Sequence, residues 1–427
     1  MTAAASVDAG RGADAKDTFR LIRRHFSPAL SFAGKFAGQG AVEVSAGGSR
    51  VQLSDGRSML DFGSYAVTLL GHRHPAVVAA VQEQLGTMPA STRSLANTVP
   101  ARAAERLVEY LGAALPRVYF GSNGADAVEV AVKLARLATG RDTVVAVRGG
   151  FHGKTMGALA LTHNERFRSG LDGLLGGVVH VDADDPDAIA RVAAERPVAA
   201  VVFEPVQGEN GVIPLDVEVL RQWCEDAHAV GAFAISDEIQ VGLRRCGARS
   251  VALAEGLPVD AVLLGKPLGG GVVPLSAAVC SDALYQPLLS DPVRHTATFG
   301  GMPLCTAALP AALDVVEEHA EHGVALAERM HAALTDLHRR HPDVVSGVRG
   351  RGLAWGLDLA TPEIAGEVQI GLAERGLLVS PCLSRPETLR LLPPLVASLA
   401  EIDQAAEALD GAAAQARAQT GGGREEH

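Results

Sequence analysis

Gly265-Lys266-Pro267-Leu268-Gly269-Gly270-Gly271 follows an apolar run, Asp260 to Leu264, and sets one lysine into a glycine-rich turn. A lysine at a strand end most often points into water, so its neighbours must give it a meaning. Two earlier runs have the same form and end in acids: Val198 to Phe203 before Glu204, and Ala232 to Ser236 before Asp237-Glu238. Ligands of open α/β sheets gather at the carboxyl ends of the strands, so three such ends would bring lysine, aspartate and glutamate into one crevice.

The surrounding pattern supports such a sheet. A helix from Ala101 to Leu111 leads to a strand over Arg117 to Phe120, the turn Gly121-Ser122-Asn123-Gly124, an amphipathic helix from Ala125 to Ala138, and a strand from Thr143 to Val147. Strands alternating with helices over about two hundred residues indicate an α/β fold whose mostly parallel central sheet is covered on both faces. Upstream, alternation between Ala41 and Phe62 around Ser54-Asp55-Gly56-Arg57 reads as a hairpin. After Pro310 the rhythm changes to a smaller α+β domain. The expected organisation is a disordered N-terminus (1–16), a segment joining the small domain (17–74), a large domain (75–310), a C-terminal small domain (311–410) and a flexible tail (411–427).

Composition excludes several classes. The net charge of −11, without a local cluster of basic residues, disfavours nucleic acid or an anionic membrane as partner. The first sixteen residues lack the apolar core of a secretory signal, and the uncharged run from Thr296 to Leu313 is broken by Gly300, Gly301, Pro303 and Pro310, so it does not read as a membrane span. Cys224, Cys246, Cys280, Cys305 and Cys382 are widely spaced with no CxxC pair, which fits a cytoplasmic location and predicts neither disulfide framework nor metal site.

A lysine amine is the natural partner of an aldehyde, with which it forms a Schiff base, the more readily when burial lowers its proton affinity. Pyridoxal 5'-phosphate is the aldehyde cofactor for which the other pieces make sense. Its pyridinium nitrogen requires a carboxylate, which Asp237 would supply. Its phosphate requires amide donors, and Gly121-Ser122-Asn123-Gly124 lies where a strand gives way to a helix start.

With these pieces in place the chain resembles the class III pyridoxal-phosphate-dependent aminotransferases, the group of ornithine, acetylornithine and 4-aminobutyrate aminotransferases. The resemblance runs through Leu60-Asp61-Phe62, Gly71-His72-Arg73-His74-Pro75, Gly121 to Glu129 and Phe151-His152-Gly153-Lys154-Thr155. It continues in Glu204-Pro205-Val206-Gln207-Gly208-Glu209, Asp237-Glu238-Ile239-Gln240, Lys266 with its glycines, Thr298-Phe299-Gly300-Gly301, Val348 to Leu353 and Arg390 to Leu395.

The resemblance implies fold type I and a homodimer with shared active sites. It also implies a role for each matched residue. Lys266 matches the Schiff-base lysine and proton carrier, and Asp237 the partner of the ring nitrogen. Ser122, Asn123 and Gly124 match the phosphate loop, Phe151 the stacking aromatic, Gln240 the partner of the phenolic oxygen, and Thr298 the residue that reaches the neighbouring subunit's cofactor phosphate. His152 either contacts the cofactor face or bonds the turn, and Glu204 is either an acid near the ring or a strand-end acid satisfied by local amides. Arg390 matches the clamp for the α-carboxylate of glutamate, Glu209 the carboxylate that neutralises it when the other substrate binds, and Tyr65 a substrate-facing tyrosine.

The sequence departs from the family pattern at Val241, Arg244, Arg245 and Cys246 and at Met302. The expected activity is transfer of an amino group, with glutamate as donor, to an aldehyde or ketone in two half-reactions. Alternatives on the same scaffold are an aminomutase, racemase or decarboxylase, or a binding protein without turnover.

Overall fold

The computed structural model describes residues 14–422. Its centre is a seven-stranded sheet built from β1 (Arg117–Gly121), β2 (Thr143–Val147), β3 (Val178–Val181), β4 (Val198–Phe203), β5 (Phe233–Asp237), β6 (Ala261–Leu264) and β7 (Ser276–Cys280). The spatial order is β1-β7-β6-β5-β4-β2-β3. β7 runs antiparallel to both neighbours and the other pairs are parallel, so the sheet is mixed. Every residue of β4, β6 and β7 is buried, as a sheet covered on both faces requires.

Register brings the three marked strand ends level. Ser236 sits opposite Phe203 and Asp237 opposite Leu263, so Glu204, Asp237 and the Gly265-Lys266 turn leave the sheet at one rim. β1 ends at the same rim and passes directly into α1 (Gly124–Thr139), the helix whose first turn completes it.

The chain ends form two further sheets. Residues 43–61 make three antiparallel strands, to which Leu377-Leu378 adds in parallel. The C-terminal part contributes β8 (Val345–Arg351), β9 (Ala354–Leu359), β10 (Ser380–Pro381) and β11 (Thr388–Leu391), in the order β8-β9-β11-β10. Among the described residues no helix is long and apolar enough to cross a membrane.

Both expected tails need correction. The last helix, Leu399–Gly422, runs through the segment expected to fray from 411, with Ala412, Ala413 and Ala416 buried. Alanines on one helical face let two helices approach closely: a Cβ built on Gly371 of the helix Pro362–Glu374 would lie 3.0 Å from Ala412 Cβ. At the other end Asp14 accepts a bond from Lys16 N and caps a helix from Ala15, so 14–16 are ordered, while the rest of that expectation lies outside the described residues.

The departures after Gln240 form a staple. Leu243 and Arg244 sit at φ +53° and +68°, a left-handed conformation that costs a non-glycine residue on the order of 1 kcal/mol. Arg244 donates from Nε and Nη2, each at 2.9 Å, to the two oxygens of Glu317, and Arg249 Nη2 adds a third bond at 2.7 Å. Burial works against the Glu317 carboxylate, but the two guanidinium groups outweigh it and hold its pKa at about 2. Arg245 is buried and donates from Nη1 to the carbonyls of Leu353 and Pro393; burial lowers its pKa to about 10. Cys246 and Val241 join an apolar cluster with Ala66 and Leu392. Met302 precedes the short helix Pro303–Thr306, where its carbonyl accepts from Thr306 Oγ1.

Candidate active site

The rim of the sheet opens into a cavity of about 320 Å³, lined by Asn123, Gly124 and Ala125 from the start of α1, by Phe151 to Lys154 from the loop after β2, and by Glu204, Asp237, Ile239, Gln240 and Lys266. The volume suits a small cofactor with its substrate.

Lys266 opens a single 3-10 turn, with Pro267 next to it. Lys266 is held at φ +43°, a left-handed conformation that costs a non-glycine residue on the order of 1 kcal/mol. Gly270, at φ +66°, is required here, since a Cβ on it would lie 2.6 Å from Val77 Cγ1. Burial depresses the Lys266 pKa; the negative charges of Glu209, Asp237 and Glu204 oppose this, and the positive charge of Arg390 adds to it.

Asp237 ends β5, nearly enclosed. One oxygen accepts from Ile239 N at 3.1 Å and the other lies 2.7 Å from His152 Nδ1. His152 lines the cavity and is held there by Asp237. Its backbone donates to Thr162 Oγ1 at 2.9 Å, and its Nε2 is buried without a partner among the described residues. Burial disfavours the imidazolium, but the bond and charge of Asp237 prevail and raise the His152 pKa. Glu204 lines the pocket and also accepts local amides, from Phe151 at 2.9 Å and Gly208 at 3.4 Å. Burial pushes its pKa up to about 7.

The phosphate loop is narrower than the sequence suggests. Asp126 Oδ2 accepts from Ser122 N and Asn123 N, while Asn123 Oδ1 caps Asp126 N, a reciprocal arrangement that closes the helix start. Ser122 does not line the cavity. Asn123, Gly124 and the unforeseen Ala125 do, and the amides of Gly124 and Ala125 belong to the first turn, where no intrahelical acceptor exists.

Arg390, on β11, and Glu209 form an ion pair buried next to the cavity wall. Glu209 Oε1 also accepts from Gln240 Nε2 at 3.3 Å and its Oε2 from Leu383 N at 3.1 Å, while Gln240 Oε1 accepts from Arg390 Nη1 at 3.2 Å. Burial disfavours the Glu209 carboxylate, but Arg390 outweighs it and lowers the pKa. Of these three residues only Gln240 lines the cavity.

Two expected residues stand apart from the cavity in this chain. Thr298 is exposed on a loop where its carbonyl and that of Ala297 accept from Arg93. Tyr65 is 71% exposed, on a left-handed turn whose short helix packs against the Lys266 turn. The residues missed by sequence reasoning are Ala125, Gly153, Lys154 and Ile239. Lys154 and Gly153 stood in the Phe151 motif without a role, and Ile239 lies two residues from Asp237 in a turn whose side-chain directions the sequence does not fix.

A family model described as Aminotransferase class-III matches residues 38–413. The chain belongs to the class III aminotransferases. Among solved structures, this aminotransferase is similar to the ornithine aminotransferase of Toxoplasma gondii, with 29% identity, 95% of each chain covered and a TM-score of 0.85. It is also similar to an acetylornithine aminotransferase from Elizabethkingia anophelis (27%, 94% of this chain and 100% of that one, 0.81). An amine transaminase from an uncultivated Pseudomonas species matches at 27%, over 88% of this chain and 95% of that one, with a TM-score of 0.80.

The aminotransferase is therefore a pyridoxal-phosphate-dependent enzyme of fold type I, transferring an amino group between small molecules. Its cavity fits that cofactor: the α1 amides suit a phosphate, Asp237 suits a protonated ring nitrogen, Phe151 and Ile239 offer apolar surface to a ring, and a lysine of depressed pKa suits an aldehyde.

Proposed function

We propose that the aminotransferase takes its amino group from glutamate and passes it to an aldehyde or ketone, in alternating half-reactions at one site. The observation that carries this reading is the buried Glu209–Arg390 pair beside the pocket. An unpaired buried guanidinium costs several kcal/mol. A carboxylate that moves off Arg390 when glutamate arrives, and returns when a neutral group occupies the same place, avoids that cost in both half-reactions. Lys154, at the exposed side of the cavity, offers a second cation for the other carboxylate of glutamate.

When bound, pyridoxal phosphate supplies the electron sink that makes the substrate Cα–H acidic. The protein supplies the rest. Lys266 Nζ, whose proton affinity burial lowers, would take the proton from the substrate Cα and deliver it to the carbon across the amino nitrogen. Asp237, oriented by His152 and Ile239 N, holds positive charge at the ring nitrogen. Gly124 and Ala125 amides, with the dipole of α1, hold the phosphate. Ser122, Thr298 and Tyr65 are outside this chain's own cavity, and we assign Thr298 and Tyr65 to a site shared across a homodimer. The buried or half-buried free cysteines are in keeping with a cytoplasmic enzyme.

The test is a single half-reaction. Enzyme carrying pyridoxal phosphate, mixed with glutamate and no acceptor, is expected to release one equivalent of 2-oxoglutarate per active site. Release of carbonyl product from other amines but none from glutamate would refute the donor.

A further inference from the structure

We propose that Gln240 is the latch of the carboxylate gate: its side-chain amide holds Glu209 on Arg390, and so sets how readily a substrate carboxylate is admitted. The proposal rests on the reading of Glu209 and Arg390 as that gate.

The carboxamide is matched to the pair at both ends. Its Nε2 donates to the anion at 3.3 Å and its Oε1 accepts from the cation at 3.2 Å. The Nε2 bond exists only while Glu209 is on Arg390; when the acid leaves, Nε2 loses its acceptor, and a substrate carboxylate on Nη1 competes for the donor that Oε1 uses. Because Gln240 is neutral, it strengthens the closed pair without competing for either charge. It is also the member of the trio that faces the cavity, so a carboxylate coming from the cofactor side meets it before Arg390.

The backbone below fixes the amide in place. A Cβ on Gly208 would lie 1.9 Å from Gln240 Oε1, so the amide rests on bare main chain and any side chain at 208 would push it aside. A second hold on Glu209, from Leu383 N to Oε2 at 3.1 Å, is a main-chain bond that side-chain substitution leaves intact. Arg390 Nε, buried and without a partner among the described residues, is a donor the closed pair leaves unused. The closed state is therefore incompletely satisfied at Arg390, and the Gln240 bonds are part of what keeps it populated.

The test uses glutarate, a dicarboxylate with no amine and hence no reaction, titrated calorimetrically into the holoenzyme at saturating pyridoxal phosphate. Gln240→Leu is expected to bind glutarate about tenfold more tightly than wild type, the order expected for two weak bonds lost from the closed state. In a Glu209→Ala background, where no gate closes, the same substitution is expected to have a much smaller effect, and that non-additivity identifies the latch. Gly208→Ala, which displaces Gln240 without removing it, is expected to tighten binding in the same direction and serves if Gln240→Leu fails to fold.

Unchanged or weaker glutarate binding on losing Gln240, with Glu209 present, overturns the latch while leaving the glutamate reading intact. No glutarate binding to any of the variants, including Glu209→Ala, overturns the glutamate reading and the latch with it.

Discussion

His152 Nδ1 lies 2.7 Å from Asp237 Oδ2, with both side chains enclosed by protein. Among the described residues, His152 Nε2 has no partner and His152 is the one side chain bonded to Asp237, whose other oxygen is held by Ile239 N. Removing one partner of a buried charged hydrogen bond costs about 1–3 kcal/mol. His152→Ala is therefore expected to lower kcat about tenfold or more with a smaller effect on KM for the donor, and His152→Asn to recover part of it. Steady-state kinetics, with cofactor retention measured by absorbance after dialysis, check both. The raised His152 pKa also has a stability signature: its contribution is complete below the ordinary histidine value, about 6.5, and is lost as pH rises through the higher folded value. The difference in unfolding midpoint between wild type and His152→Ala should shrink as pH rises above that value.

Among the described residues, Lys266 alone combines a depressed pKa, a position on the cavity wall and a positive φ. Lys266→Ala is expected to reduce turnover by at least about 10²–10⁴-fold, the worth of a positioned proton carrier. The protein should also lose the covalent adduct with pyridoxal phosphate that borohydride traps and mass spectrometry detects. Retention of that adduct at an unchanged site would assign the chemistry to another lysine.

Arg390 presents a planar fork, which lysine cannot imitate. Arg390→Lys is expected to lower kcat/KM for glutamate by about 10²-fold, the worth of a charge-assisted pair at 1.5–3 kcal/mol. Amines without a carboxylate should be much less affected, because their half-reaction proceeds with Glu209 in place. Comparison of the two substrate classes on the same variant measures this.

Glu317 ties the left-handed Arg244 to Arg249 from the helix Ala308–Glu318. Glu317→Gln is expected to destabilise the fold by about 1 kcal/mol, as for a partly exposed ion-pair cluster. With a folded pKa of about 2 against an ordinary value of 4.5, the contribution is present above pH 4.5 and fades as pH falls toward 2. Urea unfolding of both proteins at pH 7 and near pH 3 should show the gap at the first and a smaller one at the second.

Much of this architecture is legible in the residue order. Apolar runs such as Val198 to Phe203 can be buried only in a sheet covered on both faces, and the acid or lysine that follows each run marks the strand's carboxyl end. The Ala-rich C-terminus was misleading for a physical reason. Alanine has no long side chain to announce a buried face, so the contact of Ala412 with Gly371 depends on how closely two backbones approach, which composition does not record.

The loop after β1 illustrates the same limit within the site. Gly121 to Gly124 announces a helix start, yet which amides remain free depends on Asp126 folding back onto Ser122 N and Asn123 N. By itself, then, the sequence determined the layered α/β fold, the family and the identity of the chemical groups, because these follow from periodicity and from residue types in fixed order. The tertiary structure decided who bonds to whom: His152 with Asp237, Gln240 between Glu209 and Arg390, Arg244 with Glu317. Those pairings join segments far apart in the chain, and their geometry is set by strand register and backbone approach, which local sequence does not encode.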